Sequence, residues 1–147
     1  MIFDTQSLFS DAQAITATVA STNIIDLGAT GTASNGPDGG AAPLSRDMGK
    51  GMKVPLRIQV VEDFATLTSL RVAVQVDTTE SFASPTTVLE TEAVPAAELT
   101  AGYVFALDSL PLTTDQRYVR LNYGVTGPAA TAGRITAGVT AGNQTNP

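Results

Sequence analysis

The chain has 147 residues, among them no histidine, no cysteine and no tryptophan, and its formal net charge is −6. Histidine is the commonest metal ligand and the usual acid–base group near neutral pH, and cysteine supplies thiolates and disulfides, so their absence excludes thiol chemistry and most transition-metal sites. The length fits one domain, and the acidic balance argues against nucleic-acid binding, which needs clustered lysine and arginine.

Charge is distributed unevenly along the chain. Residues 1–45 hold four aspartates and no basic residue, whereas half of the eight basic residues lie within residues 46–57, namely Arg46, Lys50, Lys53 and Arg57. Such a stretch is either a solvated strand edge or a contact with an acidic partner surface. The N-terminus has no basic region followed by an apolar run, so we expect no signal peptide. No apolar run approaches the roughly 18 residues of a membrane span, so we expect no membrane contact.

The predicted elements are nearly all strands. Ser10–Val19 and Val94–Leu99 are the two segments that could form short helices. Elsewhere apolar residues recur at every second position, which is the strand period. The predicted strands, in chain order, are Ile24–Leu27, Val54–Val60, Leu70–Val76, Thr86–Glu92, Tyr103–Leu107, Val119–Val125 and Ile135–Ala141. Because turn-forming stretches separate them, we predict an all-β fold, either an antiparallel β-sandwich or a jelly roll, made of residues 1–147 as a single domain.

One segment departs from this pattern. Residues 28–51 contain seven glycines and two prolines and have few bulky apolar side chains. Loops of this length within compact domains are usually functional or disordered, and this composition offers little apolar surface to offset the entropy of ordering. We therefore predict a long Gly-rich loop at 28–51, together with a polar tail at 143–147.

Candidate chemical sites are few. The carboxylate pairs are Glu62 with Asp63, Glu90 with Glu92, and Asp77 with Glu80. Adjacent residues of a strand point to opposite faces, and acids on one face are expected on the wet side of a sheet. The segment Asn35–Gly40 lacks the spaced acids of a calcium loop, and the glycines match no phosphate-binding motif. We predict no catalytic, cofactor-binding or metal-binding residues, and no enzymatic activity.

Both ends of the chain resemble a family of capsid cement (decoration) proteins of tailed bacteriophages. At the start, the similar stretches are Met1–Gln6, Phe9–Ala14 and Ser21–Gly28. Near the end they are Arg117–Tyr123, Val125–Gly127 and Ile135–Gly138. The resemblance implies a jelly-roll-like β-sandwich that acts without catalysis.

The resemblance also implies a function and partners. Such a protein is a structural virion component on the outer surface of an icosahedral capsid, which it stabilises by clamping neighbouring major capsid protein subunits. It acts as a small homo-oligomer, with a dimer favoured and a trimer possible, and it binds no nucleic acid. The implied contact elements are the N-terminal segment, residues 1–20, and the Gly-rich loop. The residues that we expect at the contact are Phe3, Leu8, Phe9, Arg46, Lys50 and Lys53, although the two phenylalanines are equally suited to filling the core.

Three other interpretations remain open. The chain could be another virion subunit, from the tail or the head–tail junction, because such subunits are also acidic β-modules. A carbohydrate-binding β-sandwich is a second alternative, although sugar platforms usually need exposed aromatic side chains and this chain has three tyrosines and no tryptophan. A carboxylate-based glycosidase is the third, and turnover abolished by Glu90→Gln would establish it.

Overall fold

The computed structural model describes residues 2–34, 41–44, 46 and 53–143. Within these residues the chain forms eleven strands and one 3₁₀ turn. The strands are β1 (Phe3–Ala14), β2 (Val19–Ala20), β3 (Ile25–Asp26), β4 (Thr32–Ser34), β5 (Ala41–Pro43), β6 (Leu56–Ala65), β7 (Ser69–Asp77), β8 (Thr86–Glu90), β9 (Val94–Pro95), β10 (Tyr118–Thr126) and β11 (Ala132–Thr140), and the 3₁₀ turn spans Ala96–Glu98. The described part of the chain has no helix of the length and apolar character needed to cross a membrane.

The strands form two antiparallel sheets and a separate hairpin. The first sheet has the order β1–β11–β6, and the second has β10 and β7 at its centre. One edge of the second sheet is made by β2 and β3, which both pair with β10, and the other edge is made by β8 and β9, which both pair with β7. The hairpin consists of β4 and β5.

An extended segment, residues 103–110, continues the first sheet beyond β6. The Val60 N–H donates to the Tyr103 carbonyl at 2.9 Å, and the Phe105 N–H donates to the Ile58 carbonyl at 3.0 Å. Two isolated antiparallel bridges, Gln59 with Val104 and Pro55 with Ser109, lie along the same edge. The predicted strand Tyr103–Leu107 therefore exists as an extended segment that bonds to β6 without a continuous ladder.

With this segment included, the topology is that of a jelly roll, as predicted. The chain passes from one sheet to the other six times: between β1 and β2, β3 and β6, β6 and β7, β9 and residues 103–110, residues 103–110 and β10, and β10 and β11. Eight extended stretches thus form two four-stranded layers around one core, which is the double Greek-key arrangement.

The core follows the period-two pattern of the sequence. Every second residue in the long strands is fully or almost fully buried, including Leu56, Ile58 and Val60 in β6, Leu70, Val72, Val74 and Val76 in β7, Val119, Leu121 and Tyr123 in β10, and Ile135 and Ala137 in β11. Successive side chains of a strand point to opposite faces, so this alternation places one apolar face of each sheet against the other. The prediction of these four strands is confirmed, and so are the inward faces within their bounds, whereas Val54 precedes β6, and Ala141 follows β11 and is exposed.

A polar network near one side of the sandwich joins the two sheets. The Tyr123 hydroxyl lies 2.8 Å from Ser10 Oγ, and Ser10 Oγ donates to Gln13 Oε1 at 2.7 Å. Gln13 in turn donates from Nε2 to the Ala20 carbonyl and accepts from the Thr22 N–H. Burial raises the pKa of Tyr123 well above its usual range. Because buried hydroxyls without partners are costly, this network stabilises β1 against β10.

The predicted helix at Ser10–Val19 is wrong. Residues up to Ala14 belong to β1, which pairs with β11 through several bulges, and Ala12 has a φ of 43° at one of these irregular positions. Pairing with β11 satisfies the backbone N–H and C=O groups that a helix would have bonded internally, so tertiary context overrides the local preference of alanine. The second predicted helix, Val94–Leu99, contains the 3₁₀ turn, but Val94 and Pro95 form β9.

The Gly-rich segment is not entirely a loop. Thr32–Ser34 pairs with Ala41–Pro43, and the Leu44 N–H donates to the Gly31 carbonyl at 2.9 Å, which closes the base of the hairpin. Residues 35–40, 45 and 47–51 of this segment, and 144–147 of the predicted polar tail, lie outside the described residues.

Candidate docking surface

One end of the sandwich carries the long connections, and we call it the loop end. Strand pairing defines it, because Phe3 lies opposite Thr140, Leu56 lies opposite Val139, and Tyr118 lies opposite both Asp26 and Asp77. The connections at this end are residues 27–55, 78–85 and 111–117, together with the N-terminus. The other end has four shorter connections, residues 15–18, 66–68, 96–102 and 127–131. The N-terminal segment and the Gly-rich segment therefore emerge at the same end.

The three most exposed large apolar side chains of the described residues belong to the connections and terminus of the loop end. Ile2 is 74% exposed, Leu112 is 68% exposed and Leu44 is 51% exposed. Single exposed apolar residues are ordinary on protein surfaces, but several at one end of a molecule are typical of an interaction site. The loop end is therefore the best candidate docking surface among the described residues.

No strand pattern in the sequence singles out these three residues. Leu112 lies between the predicted strands Tyr103–Leu107 and Val119–Val125, and Leu44 lies within the Gly-rich segment, where no strand face explains a large apolar side chain. An isolated leucine in such a stretch was the available signal. Which leucines face solvent depends on how the connections pack, and Leu110, two residues before Leu112, is buried.

An ion pair fixes the start of the Gly-rich segment. Arg117 donates to Asp26 through two parallel hydrogen bonds, Nε to Oδ1 at 2.8 Å and Nη2 to Oδ2 at 2.7 Å. The Gly28 N–H also donates to Asp26 Oδ1 at 2.8 Å. The bond from Arg117 and the backbone bond from Gly28 together hold the pKa of Asp26 at about 2. The paired atoms join the end of β3 to the residue before β10, so the chain enters the Gly-rich segment in a defined direction.

Arg46, in the second half of the same segment, bonds back to the start of that segment. Its Nη1 donates to the Leu27 carbonyl at 3.0 Å, and its Nη2 donates to the Gly28 carbonyl. The side chain is half-buried, so the predicted contact residue Arg46 also has an internal role in holding the segment closed. A polar cleft of about 440 Å³ lies beside it, lined by Ala29, Thr30, Arg46, Thr78, Asp115, Gln116 and Arg117.

The other predicted contact residues have different surroundings. Phe9 is 0% exposed and Leu8 is buried, so both belong to the core and neither offers a surface to a partner in this structure. The physical reason differs for the two: Phe9 packs into the core between the sheets, whereas Leu8 lies opposite Gly138 of β11 and is buried against that glycine, which has no side chain to keep it away. Phe3 is half-buried at the start of β1, and Lys53 is exposed. Lys50 lies outside the described residues.

The carboxylate pairs considered for catalysis make structural contacts. Glu62 accepts from Arg134 Nε at 2.8 Å, and Glu90 lies 3.6 Å from Arg71 Nη1. Asp77 is buried and caps the loop after β7, where the Thr79 and Ser84 N–H groups donate to it and lower its pKa. Within the described residues, no group of three or more acidic side chains is placed to hold a metal ion. The candidate calcium loop, Asn35–Gly40, lies outside them.

The sequence matches a known protein family. The model of a protein family described as Bbp16 matches residues 9–139, a span that begins within β1 and ends within β11. The match therefore covers nearly the whole sandwich, together with the Gly-rich segment. No individually curated protein matches the sequence.

Proposed function

The chain belongs to the Bbp16 family, and from this premise we propose that it is a capsid cement protein, a structural virion component that binds the outside of an icosahedral phage capsid and clamps neighbouring major capsid protein subunits. Three features support the proposal. They are the family match, the resemblance of both ends of the chain to cement proteins, and a jelly roll whose loop end is suited to docking.

The observation that carries the proposal is the composition of the loop end. Ile2, Leu44 and Leu112 are the most exposed large apolar side chains of the described residues, and Lys53 lies at the end of the Gly-rich segment. Burying a leucine contributes about 1.5–3 kcal/mol, whereas association costs about 4–15 kcal/mol in lost freedom. Burying these side chains therefore gives modest affinity to a single subunit.

Clamping overcomes this limit by multivalency. A copy that contacts two neighbouring shell subunits makes its second contact within an already formed complex, at a high effective concentration. Because such a protein binds the assembled shell and not the separate subunits, occupancy stabilises the shell by mass action. A homo-oligomer, with a dimer favoured, would double the number of contacts, and sedimentation equilibrium of the purified protein measures that state.

Co-sedimentation with capsids tests the proposal. Purified chain is mixed with mature undecorated shells and, separately, with unexpanded shells. Saturable binding to the mature shells is the expected result, and its plateau gives the copy number. If the folded chain sediments with neither shell but binds isolated tails or portal complexes, the cement function is refuted in favour of another virion subunit.

A further inference from the structure

The two long sides of the sandwich are built differently. On the side where β1 approaches β2, the sheets are bridged by hydrogen bonds, because Gln13 donates to the Ala20 carbonyl at 2.9 Å and accepts from the Thr22 N–H at 2.8 Å. On the opposite side, where β8 and the extended segment 103–110 form the sheet edges, the structure has an open cleft instead. We call it the edge cleft.

The edge cleft is mostly apolar, with an acidic rim. Its volume is about 270 Å³. Leu89 and Val94 line it from the second sheet, and Tyr103, Phe105, Ala106 and Leu107 line it from the first. The Tyr103 and Phe105 rings pack edge to face with centroids 5.3 Å apart, which gives this wall a fixed shape. Leu89 is 42% exposed although it lines an apolar surface, so the cleft leaves apolar area in contact with solvent.

The size and the edges of the cleft favour a peptide over a small molecule. Pockets for small organic ligands usually measure about 300–1,000 Å³ and are more enclosed. Here the cleft runs between two sheet edges, and within the described ranges β8 pairs with strand β7 alone. An exposed edge offers backbone N–H and C=O groups to an added strand, whose alternate side chains then point into a neighbouring pocket.

The charge of the rim selects the kind of peptide. Glu90 and Glu92 line the cleft, and none of its described lining residues is basic. Arg71 lies 3.6 Å from Glu90 and partly offsets that charge, whereas the described residues place no cation within 4 Å of Glu92. Opposite charges on facing surfaces guide association and select partners. A segment that carries lysine or arginine beside its apolar residues therefore complements this rim.

We propose that the edge cleft binds an extended peptide segment of a partner protein, with an apolar side chain in the cleft and flanking lysine or arginine residues facing Glu90 and Glu92. The assignment stands on the geometry of the cleft and does not depend on the cement function. The cleft lies along a side of the sandwich and the docking surface lies at the loop end, so a peptide in the cleft leaves the loop end accessible.

Peptide binding by the full chain tests the proposal. The probes are two fluorescently labelled peptides, Lys-Val-Thr-Leu-Thr-Val-Lys and the same sequence with glutamate in place of lysine, and fluorescence anisotropy reports binding. We expect the basic peptide to bind at least about tenfold more tightly than the acidic one at low salt, and this preference to shrink at about 0.5 M salt. Equal affinity for the two peptides, or no binding of the basic peptide, would overturn the proposal.

Variants locate the binding site. Ala106→Leu fills the cleft from an exposed position and should weaken binding of the basic peptide by about tenfold or more, because the added side chain occupies the space of the incoming apolar group. Glu92→Gln should weaken it by about threefold and reduce its salt dependence. The matched control is Ala129→Leu, which makes the same change at an exposed position outside the edge cleft, in the connection 127–131 at the end opposite the loop end.

The outcome is separable from that of the proposed function. Unchanged peptide affinity in folded Ala106→Leu protein refutes the edge cleft as the site, whatever the capsid experiment shows. Failure of the wild-type chain to sediment with shells refutes the cement function and leaves the peptide result standing, because the peptide assay contains no shell.

Discussion

Replacing Leu112 by serine tests the loop end as the docking surface. Leu112 lies in the connection before β10 and is 68% exposed in the free chain. The substitution removes apolar area from the surface and leaves the core intact, so the free energy of unfolding should change by less than about 0.5 kcal/mol. Any loss of shell binding then reports on the interface and not on folding.

The expected loss follows from the exposed area of the side chain. Full burial of a leucine contributes about 1.5–3 kcal/mol, and about two-thirds of the Leu112 side chain remains to be buried on docking, which gives about 1–2 kcal/mol. Since about 1.4 kcal/mol corresponds to a factor of ten in Kd, Leu112→Ser should weaken shell binding by about 5- to 30-fold. Adding Leu44→Ser, at a position that is 51% exposed, should weaken it further.

The assay is co-sedimentation with mature shells over a range of protein concentrations, with urea unfolding of each variant as the test of folding. Val61→Ser is the matched control, because Val61 is 40% exposed on the outer face of β6, away from the loop end. Wild-type affinity in folded Leu112→Ser and in the double variant would refute the loop end as the docking surface. Loss of binding in Val61→Ser alone would assign docking to the outer face of the first sheet.

Three further results are expected. The folded-state pKa of Asp26 is lowered from 3.8 to about 2. Its ion pair with Arg117 therefore stabilises the fold above about pH 4, and this contribution is lost as the pH falls towards 2. Asp26→Asn should flatten the pH dependence of urea unfolding between about pH 4 and 2, and an unchanged profile would contradict the pairing. Ser10→Ala leaves the buried Tyr123 hydroxyl without its partner and should lower the free energy of unfolding by about 1–3 kcal/mol. Tyr123→Phe should cost less, because Ser10 keeps its bond to Gln13, and the reverse order in urea unfolding would argue against the network. Deletion of residues 32–43, with a short Gly-Ser link between Gly31 and Leu44, should leave the thermal unfolding midpoint within a few degrees of the wild-type value and weaken shell binding. Unaltered shell binding would exclude the β4–β5 hairpin from the contact.

The inward faces of the long strands were predictable from local pattern alone. In β6, β7, β10 and β11 the large apolar core residues fall at alternate positions, because successive side chains of any extended chain point to opposite sides. The all-β class followed from the same pattern. Where the pattern was weak, as in the Thr- and Ala-rich start of the chain, the local preference suggested a helix and pairing with β11 produced β1.

The docking surface was not predictable in this way, because its members are distant in sequence. Phe9 and Phe3 looked equivalent as apolar residues of one segment, and pairing of β1 at the sheet edge buried the first completely while leaving the second half-buried. Arg117 pairs with Asp26 across 91 positions. Ile2 reaches the loop end at the N-terminus, and Leu44 and Leu112 reach it in two separate connections. The alternation of apolar residues determines which side of a strand faces inward, because side-chain direction depends on the backbone of that strand alone. The order of the strands determines which strand ends meet. That order depends on pairing between residues that are distant in sequence, and no local pattern relates them.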